Sequence, residues 1–302
     1  MASRLIGVGN AVIDVVAAVP ALPPSSPQVR AASVVLFASG GCTALIAAAR
    51  QGVPVLHAGP MGAGPLGDLA RRELAEEGGA VVAGRHPGHD ADVTITLVDP
   101  DGEQTVISSG APTAQLSAAD LKRVSPEPGD AVLVFGHGLV HPANTDVLVP
   151  WVRALRPGVL VVLDPGPVAS VQAPEALHAV RERADWCCAA ATDAARLSGQ
   201  QDPVAAARSL RPAVVRTGPV GCVVAPRDGD PVTVPSFPVP VVDRTGAGGT
   251  HTGVFVAELL HGAAPHVAAR RANAAAALAV SRRGPAGAPT ARELDAFLAE
   301  RA

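Results

Sequence analysis

Residues 241–255 read VVDRTGAGGTHTGVF. A hydrophobic run stops at Asp243, a Thr-Gly-Ala-Gly turn follows, and an apolar helical pattern begins. At such a helix start the backbone N–H groups of Gly246, Ala247 and Gly248 point outward. Together with the positive end of the helix dipole they make a seat for an anion. Glycines let a backbone come close to a phosphate; an ordinary Gly-rich turn is the alternative reading. Gly249, directly after the turn, has no side chain with which to accept a proton.

Four further stretches carry polar groups at informative places. Asp14 in GNAVID sits in an apolar strand, where an unpaired carboxylate is costly. A sugar diol at a strand end would satisfy it, and so would a neighbouring backbone turn. Gly40 and Gly41 in ASGGCTALIAAARQG open a helix and suit close approach by a small polar ligand, or are a plain helix start. RTGPVG at 216–221 and LDPGP at 163–167 each end a strand, and open α/β sheets bind ligands at that edge. His137 and His141 in FGHGLVH end another strand, as polar loop residues or as acid–base groups. His251 lies two positions past Gly249, and residues two apart on a helix face different directions.

The elements that must position these residues alternate. Strand candidates are RLIGVG, VPVLHAG, AVLVFG, VLVVLDPG, AVVRTG and GCVVAP, and residues 4–18 read as one buried first strand carrying Asp14. Between the strands lie Ala-rich helical runs, several stopping at a glycine (Gly52, Gly78, Gly158) as a helix end favours. Alternation of this kind predicts βαβ units around a parallel sheet. Residues 15–37 and 89–109 break the pattern and read as hairpin material, the second with DPDG as its turn. They predict a small β lid on a single domain spanning 1–302.

The chain has 302 residues, 48% hydrophobic and 17% charged, which suffices for one large globular domain. A net charge of −3 gives no basic footprint, so nucleic acid is not an expected partner. Cys42, Cys187, Cys188 and Cys222 have no metal-ligand spacing and read as small apolar residues in a reducing cytoplasm. Asn10 and Asp14 interrupt the apolar N-terminus, which argues against a signal peptide, and no run suits a membrane span.

In order and over nearly the whole chain, GNAVID, SGG, GAGPLGDLARRELAEEGG, DGEQTVISSGA, LDPGP, RTGPVG, DRTGAGG and ANAAAALAVSRRG resemble the PfkB-type, ribokinase-like carbohydrate and nucleoside kinases. The resemblance implies a three-layer α/β fold: a central, mostly parallel sheet with helices on both faces, plus a small β-sheet lid. It implies a sugar or nucleoside bound under the lid and a nucleotide, ATP with Mg2+, beside the Gly-rich turn. Asn10, Asp14, Gly40 and Gly41 match substrate-side positions, and Gly246, Ala247 and Gly248 match the anion hole. Arg216, Gly218, Gly221, Asp243 and Asn273 match the nucleotide side. A homodimer through the lid is a further expectation, since lid edges are exposed.

Three positions depart from the family pattern. Gly249 stands where the family carries its catalytic Asp, Ala44 where it carries a substrate-contacting Asn, and AATD replaces Asn-x-x-Glu. Ala190 thus replaces the Asn, and Asp193, a shortened Glu, remains for the magnesium shell. The expectation is a kinase with weakened catalysis. The alternatives are a pseudokinase that binds without turnover and an enzyme of another class using His137, His141 or His251.

Overall fold

The computed structural model describes residues 2–22, 28–85, 88, 90–101, 104–109, 115–282 and 287–301. Gly102 of the DPDG turn, Gly110 and Ala111 of the SSGA run, and Arg283 and Gly284 of the last motif lie outside them.

Among the described residues, thirteen strands form two sheets. In chain order they are β1 (Leu5–Val8), β2 (Ala11–Ala18), β3 (Ser33–Gly40), β4 (Val55–His57), β5 (Ala80–Val81), β6 (Asp92–Val98) and β7 (Gln104–Ser108). There follow β8 (Ala131–Phe135), β9 (Leu160–Asp164), β10 (Trp186–Ala190), β11 (Ala213–Arg216), β12 (Gly221–Ala225) and β13 (Val232–Pro235). The main sheet runs β13-β12-β11-β10-β9-β8-β1-β4-β5, and β3-β2-β6-β7 form the second, four-stranded sheet. From β11 to β5 the main sheet is parallel; β12 and β13 close it antiparallel.

Side chains alternate across the main sheet because the strand period is two. Leu5, Leu133, Val162, Cys188 and Val214 face one layer of helices: α1 (Gly41–Arg50), α2 (Pro65–Glu76), α9 (Ala247–Leu260), α10 (Pro265–Val280) and α11 (Ala291–Ala299). Ile6, Val132, Val134, Val161 and Leu163 face the other, with α3 (Ala118–Lys122), α4 (Pro142–Arg153), α5 (Gly166–Gln172) and α6 (Pro174–Arg181). Cys187, Ala189, Ala213 and Val215 pack in that second layer on α7 (Ala191–Ser198) and α8 (Pro203–Leu210). All four cysteines are buried and free. The expected three-layer fold with a lid is what the structure has.

Two expectations need correction. Residues 4–18 are not one strand: β1 ends at Val8, Gly9 takes a φ of 139°, and the chain leaves the main sheet to start the lid at Ala11. The lid therefore begins earlier than residue 15 and reaches Gly40 on its second strand. β10, reading WCCAA, was not expected as a strand. It has no β-branched residue, and its place is decided by burial between β9 and β11.

Candidate active site

The parallel strands end on one edge, and Phe135, Asp164, Ala190 and Arg216 stand there in neighbouring order on β8 to β11. That edge is where a doubly wound sheet leaves room for a ligand.

α9 starts against it. Its N-cap is Gly246 at φ 77°, a left-handed conformation that side chains rarely adopt. The turn before it is closed by Asp243, whose Oδ1 accepts the Thr245 amide at 2.9 Å. No acidic residue lies in the first helical turn and no side chain caps it. The first helical bond runs from Thr250 N to Gly246 O at 2.8 Å, so the Gly248 and Gly249 amides have no carbonyl four residues back within the helix. The Ala247 amide, counted with them in the sequence, makes a long 3.4 Å contact to Arg244 O.

Arg216 lies beneath this turn. A Cβ placed on Gly248 would be 3.7 Å from its Nη2. Its Nη1 donates to Thr252 Oγ1 at 2.6 Å, Asp164 Oδ2 at 3.2 Å and Cys188 O at 3.3 Å. Thr252 in turn donates to Asp164 Oδ2 at 2.8 Å. A charged cluster thus ties β9, β11 and α9 together under the turn. Thr252 had no signal in the sequence beyond its place one turn into the helix. Gly218 opens a short 3₁₀ turn and Gly221 begins β12, so both stand where β11 turns back.

Asp193 opens α7 next to β10 and is 3% exposed. Its Oδ1 accepts from Ser170 Oγ at 3.3 Å and Arg196 Nη1 at 3.2 Å. Burial raises its carboxyl pKa, and the nearby charge of Asp164 raises it further. Among the described residues no group of three or more His, Cys, Asp or Glu side chains could hold a metal ion.

On the lid side, Asp14 projects from the same face of β2 as Val16 and Ala18. Its pKa is raised to about 6, first by burial; Ser39 hydrogen-bonding and His137 act against this, and the charge of Asp243 adds to it. Asp14 is thereby in electrostatic reach of the turn before α9. Gly40 ends β3 and Gly41 begins α1, with Ala44 buried in the same helix.

A cavity of about 640 Å³ opens between this face and residues 241–244. Val16, Ala18, Val35 and Val98 form its lid wall, and Arg30 and Arg244 line it too.

Two expected binding residues are engaged elsewhere. Asn10 is buried, donating to Asp92 Oδ2 at 3.4 Å and accepting from Asn144 Nδ2 at 3.0 Å. With His137, 3.4 Å from Asp92, this polar group ties the end of β1 to the lid and to α4. Asn273 is 4% exposed; its Nδ2 donates to Val234 O and Pro235 O, and its Oδ1 faces His251 Nε2 at 3.1 Å. Since the amide spends its donors on carbonyls, His251 Nε2 carries the proton. His251 is thus engaged with α10, and burial, then repulsion by Arg216, lowers its pKa to about 3.

A protein-family model described as pfkB family carbohydrate kinase matches residues 2–291. The uncharacterized sugar kinase YegV of Escherichia coli (strain K12) is 32% identical, over 95% of this chain and 91% of its own. An ATP-dependent ribose-1-phosphate kinase of Halopiger xanaduensis is 32% identical over 99% of both chains. Among solved structures, a putative Ribokinase II from E. coli in complex with ATP and Mg2+ is similar, with a TM-score of 0.80 at 24% identity over 99% of both chains.

Proposed function

The chain belongs to the pfkB family of carbohydrate kinases, and on that premise we propose that it transfers the terminal phosphoryl group of ATP to a hydroxymethyl group of a ribose-like acceptor, slowly. The observation that carries this reading is the acid-free start of α9, with left-handed Gly246 at its cap and Arg216 beneath it, and with Asp14 close enough to feel the charge of Asp243 in the turn before the helix. Phosphoryl transfer depends mainly on positioning and on stabilising charge on the transferred group. The Gly246–Gly248 turn and Arg216 supply such charge. Asp14 orients the acceptor by accepting from its hydroxyls.

The acceptor oxygen bonds to the terminal phosphorus, the bond from phosphorus to the bridging oxygen breaks, and ADP leaves. With glycine at 249 the hydroxyl proton passes to water. Loss of a general base costs about 10²–10⁴-fold in rate, or roughly 3–5 kcal/mol. Asp164 and Asp193 are the groups that would face a Mg2+ ion through its waters, and the ion would neutralise phosphate charge.

We infer further that an acceptor already carrying a phosphate would place it in the cavity between the lid and residues 241–244. Arg30 and Arg244 line it, and neither joins an ion pair among the described residues. Three carboxylates line it as well, Asp99, Asp101 and Asp243; Asp99 and Asp243 each accept a backbone amide of their own turn. The relative named for ribose 1-phosphate points the same way. Calorimetry with ATP and Mg2+, followed by product analysis with D-ribose and D-ribose 1-phosphate, tests both statements. Saturable ATP binding, slow phosphorylated product and a preference for the phosphorylated acceptor are expected. Absence of nucleotide binding and of product would reject the kinase reading; a preference for free ribose would reject the second statement alone.

A further inference from the structure

Position 249 is obstructed as well as bare. A Cβ built on Gly249 stands 2.9 Å from the Thr43 Cβ and 3.0 Å from its Cγ2, closer than packed carbons come. The next neighbour, the Ala44 amide nitrogen, is at 3.5 Å, an ordinary contact. The obstacle is one side chain. One turn further along α9, a Cβ on Gly253 would meet Ala44 O at 2.1 Å, so the helices already touch backbone to backbone. On its other side α1 is held by Phe135, whose ring carbons lie 2.7 and 2.8 Å from a Cβ on Gly41. Thr43 itself is buried, in the first turn of α1.

We propose that Thr43 excludes a carboxylate from position 249, so that Thr43 and Gly249 are a coupled pair and a base cannot be restored there by one substitution. The packing part stands on these distances; the catalytic part rests on the kinase reading above. With the Thr43 side chain removed, a carboxylate at 249 would have open space and the first-turn amides of α1 nearby, which favour a negative charge.

Four proteins test this: the parent, T43G, G249D and T43G/G249D, compared by melting temperature and by ADP release from ATP and Mg2+ with D-ribose, with D-ribose 1-phosphate and with water alone. G249D is expected to melt roughly 3–10 °C lower than the parent and to gain no turnover. The double variant is expected to melt higher than the two single shifts sum to, and to release ADP about 100-fold faster or more. G249A keeps the packing part readable should the Asp variants not fold. An added methyl normally stabilises a helix interior, but here it should destabilise the parent and stabilise the T43G protein. Additive melting shifts, or a gain in G249D as large as in the double variant, would overturn the proposal. So would coupled melting without faster turnover while ATP still binds. Failure of the parent to bind ATP would strike the kinase reading and leave the melting comparison intact.

Discussion

Asp14 is the residue whose chemistry is most exposed to measurement. Its carboxyl titrates near pH 6 because burial resists the charge, with the nearby Asp243 charge adding to that resistance. The folded protein therefore binds a proton there that the unfolded chain, with its ordinary value near 3.8, has already lost. Between those values stability falls as pH rises, and above pH 6 the ionised group is a standing cost. D14N should melt higher than the parent at pH 8, with the gap closing toward pH 4, read by thermal scans across that range. If the carboxylate accepts from acceptor hydroxyls, the same substitution should weaken acceptor binding, and parent affinity should fall below pH 6. Asp14 was legible in the sequence because a carboxylate in an apolar strand needs a reason. Thr43 was not, since nothing in CTALIAAAR tells which neighbour a threonine will touch.

At the scale of elements, α9, α10 and β13 are joined by His251, Asn273 and two strand carbonyls. Burial, with repulsion by Arg216, keeps the imidazole at this joint neutral, although its bond to Asn273 by itself favours the proton. His251 has its pKa lowered from 6.5 to about 3, so the unfolded chain takes up a proton that the folded one refuses. Stability contributed there is present above pH 6.5 and is lost as pH falls toward 3; His57, lowered to about 4 chiefly by burial, acts in the same direction. N273A should lower the melting temperature by several degrees at pH 7.5, since it leaves two carbonyls and the imidazole without their partner. Nucleotide affinity measured beside it tells whether the residue also serves the base, as the family resemblance implied. Helices and strands with strong periodicity were legible in advance; β10 was not, because WCCAA is a strand by virtue of its neighbours.

For the whole molecule, the lid presents two faces set by register. Leu36, Val15, Ile95 and Ile107 pair in one row across its four strands, and Leu36, Ile95 and Ile107 are exposed, as is Val34 beside them. The opposite row, through Val35 and Val16, turns to the cavity. An exposed apolar row on a sheet with two open edges suits a second copy of the same lid. The lid dimer expected from the sequence would become a monomer in L36E/I107E, seen as a halved mass in light scattering at equal concentration; a parent that is already monomeric, or an unchanged mass, would remove the lid as the interface. No helix among the described residues is long and apolar enough to cross a membrane.

Short-range chemistry in the sequence determined the alternation of strands and helices, the glycine-built start of α9 and the loss of a side chain at 249. Those follow from periodicity and backbone freedom, which neighbours along the chain already define. The break after Val8, the Arg216–Asp164–Thr252 cluster and the Thr43 side chain packed against Gly249 were decided only by tertiary structure. Each depends on which distant segments come within a few ångströms, and a sequence does not carry that distance.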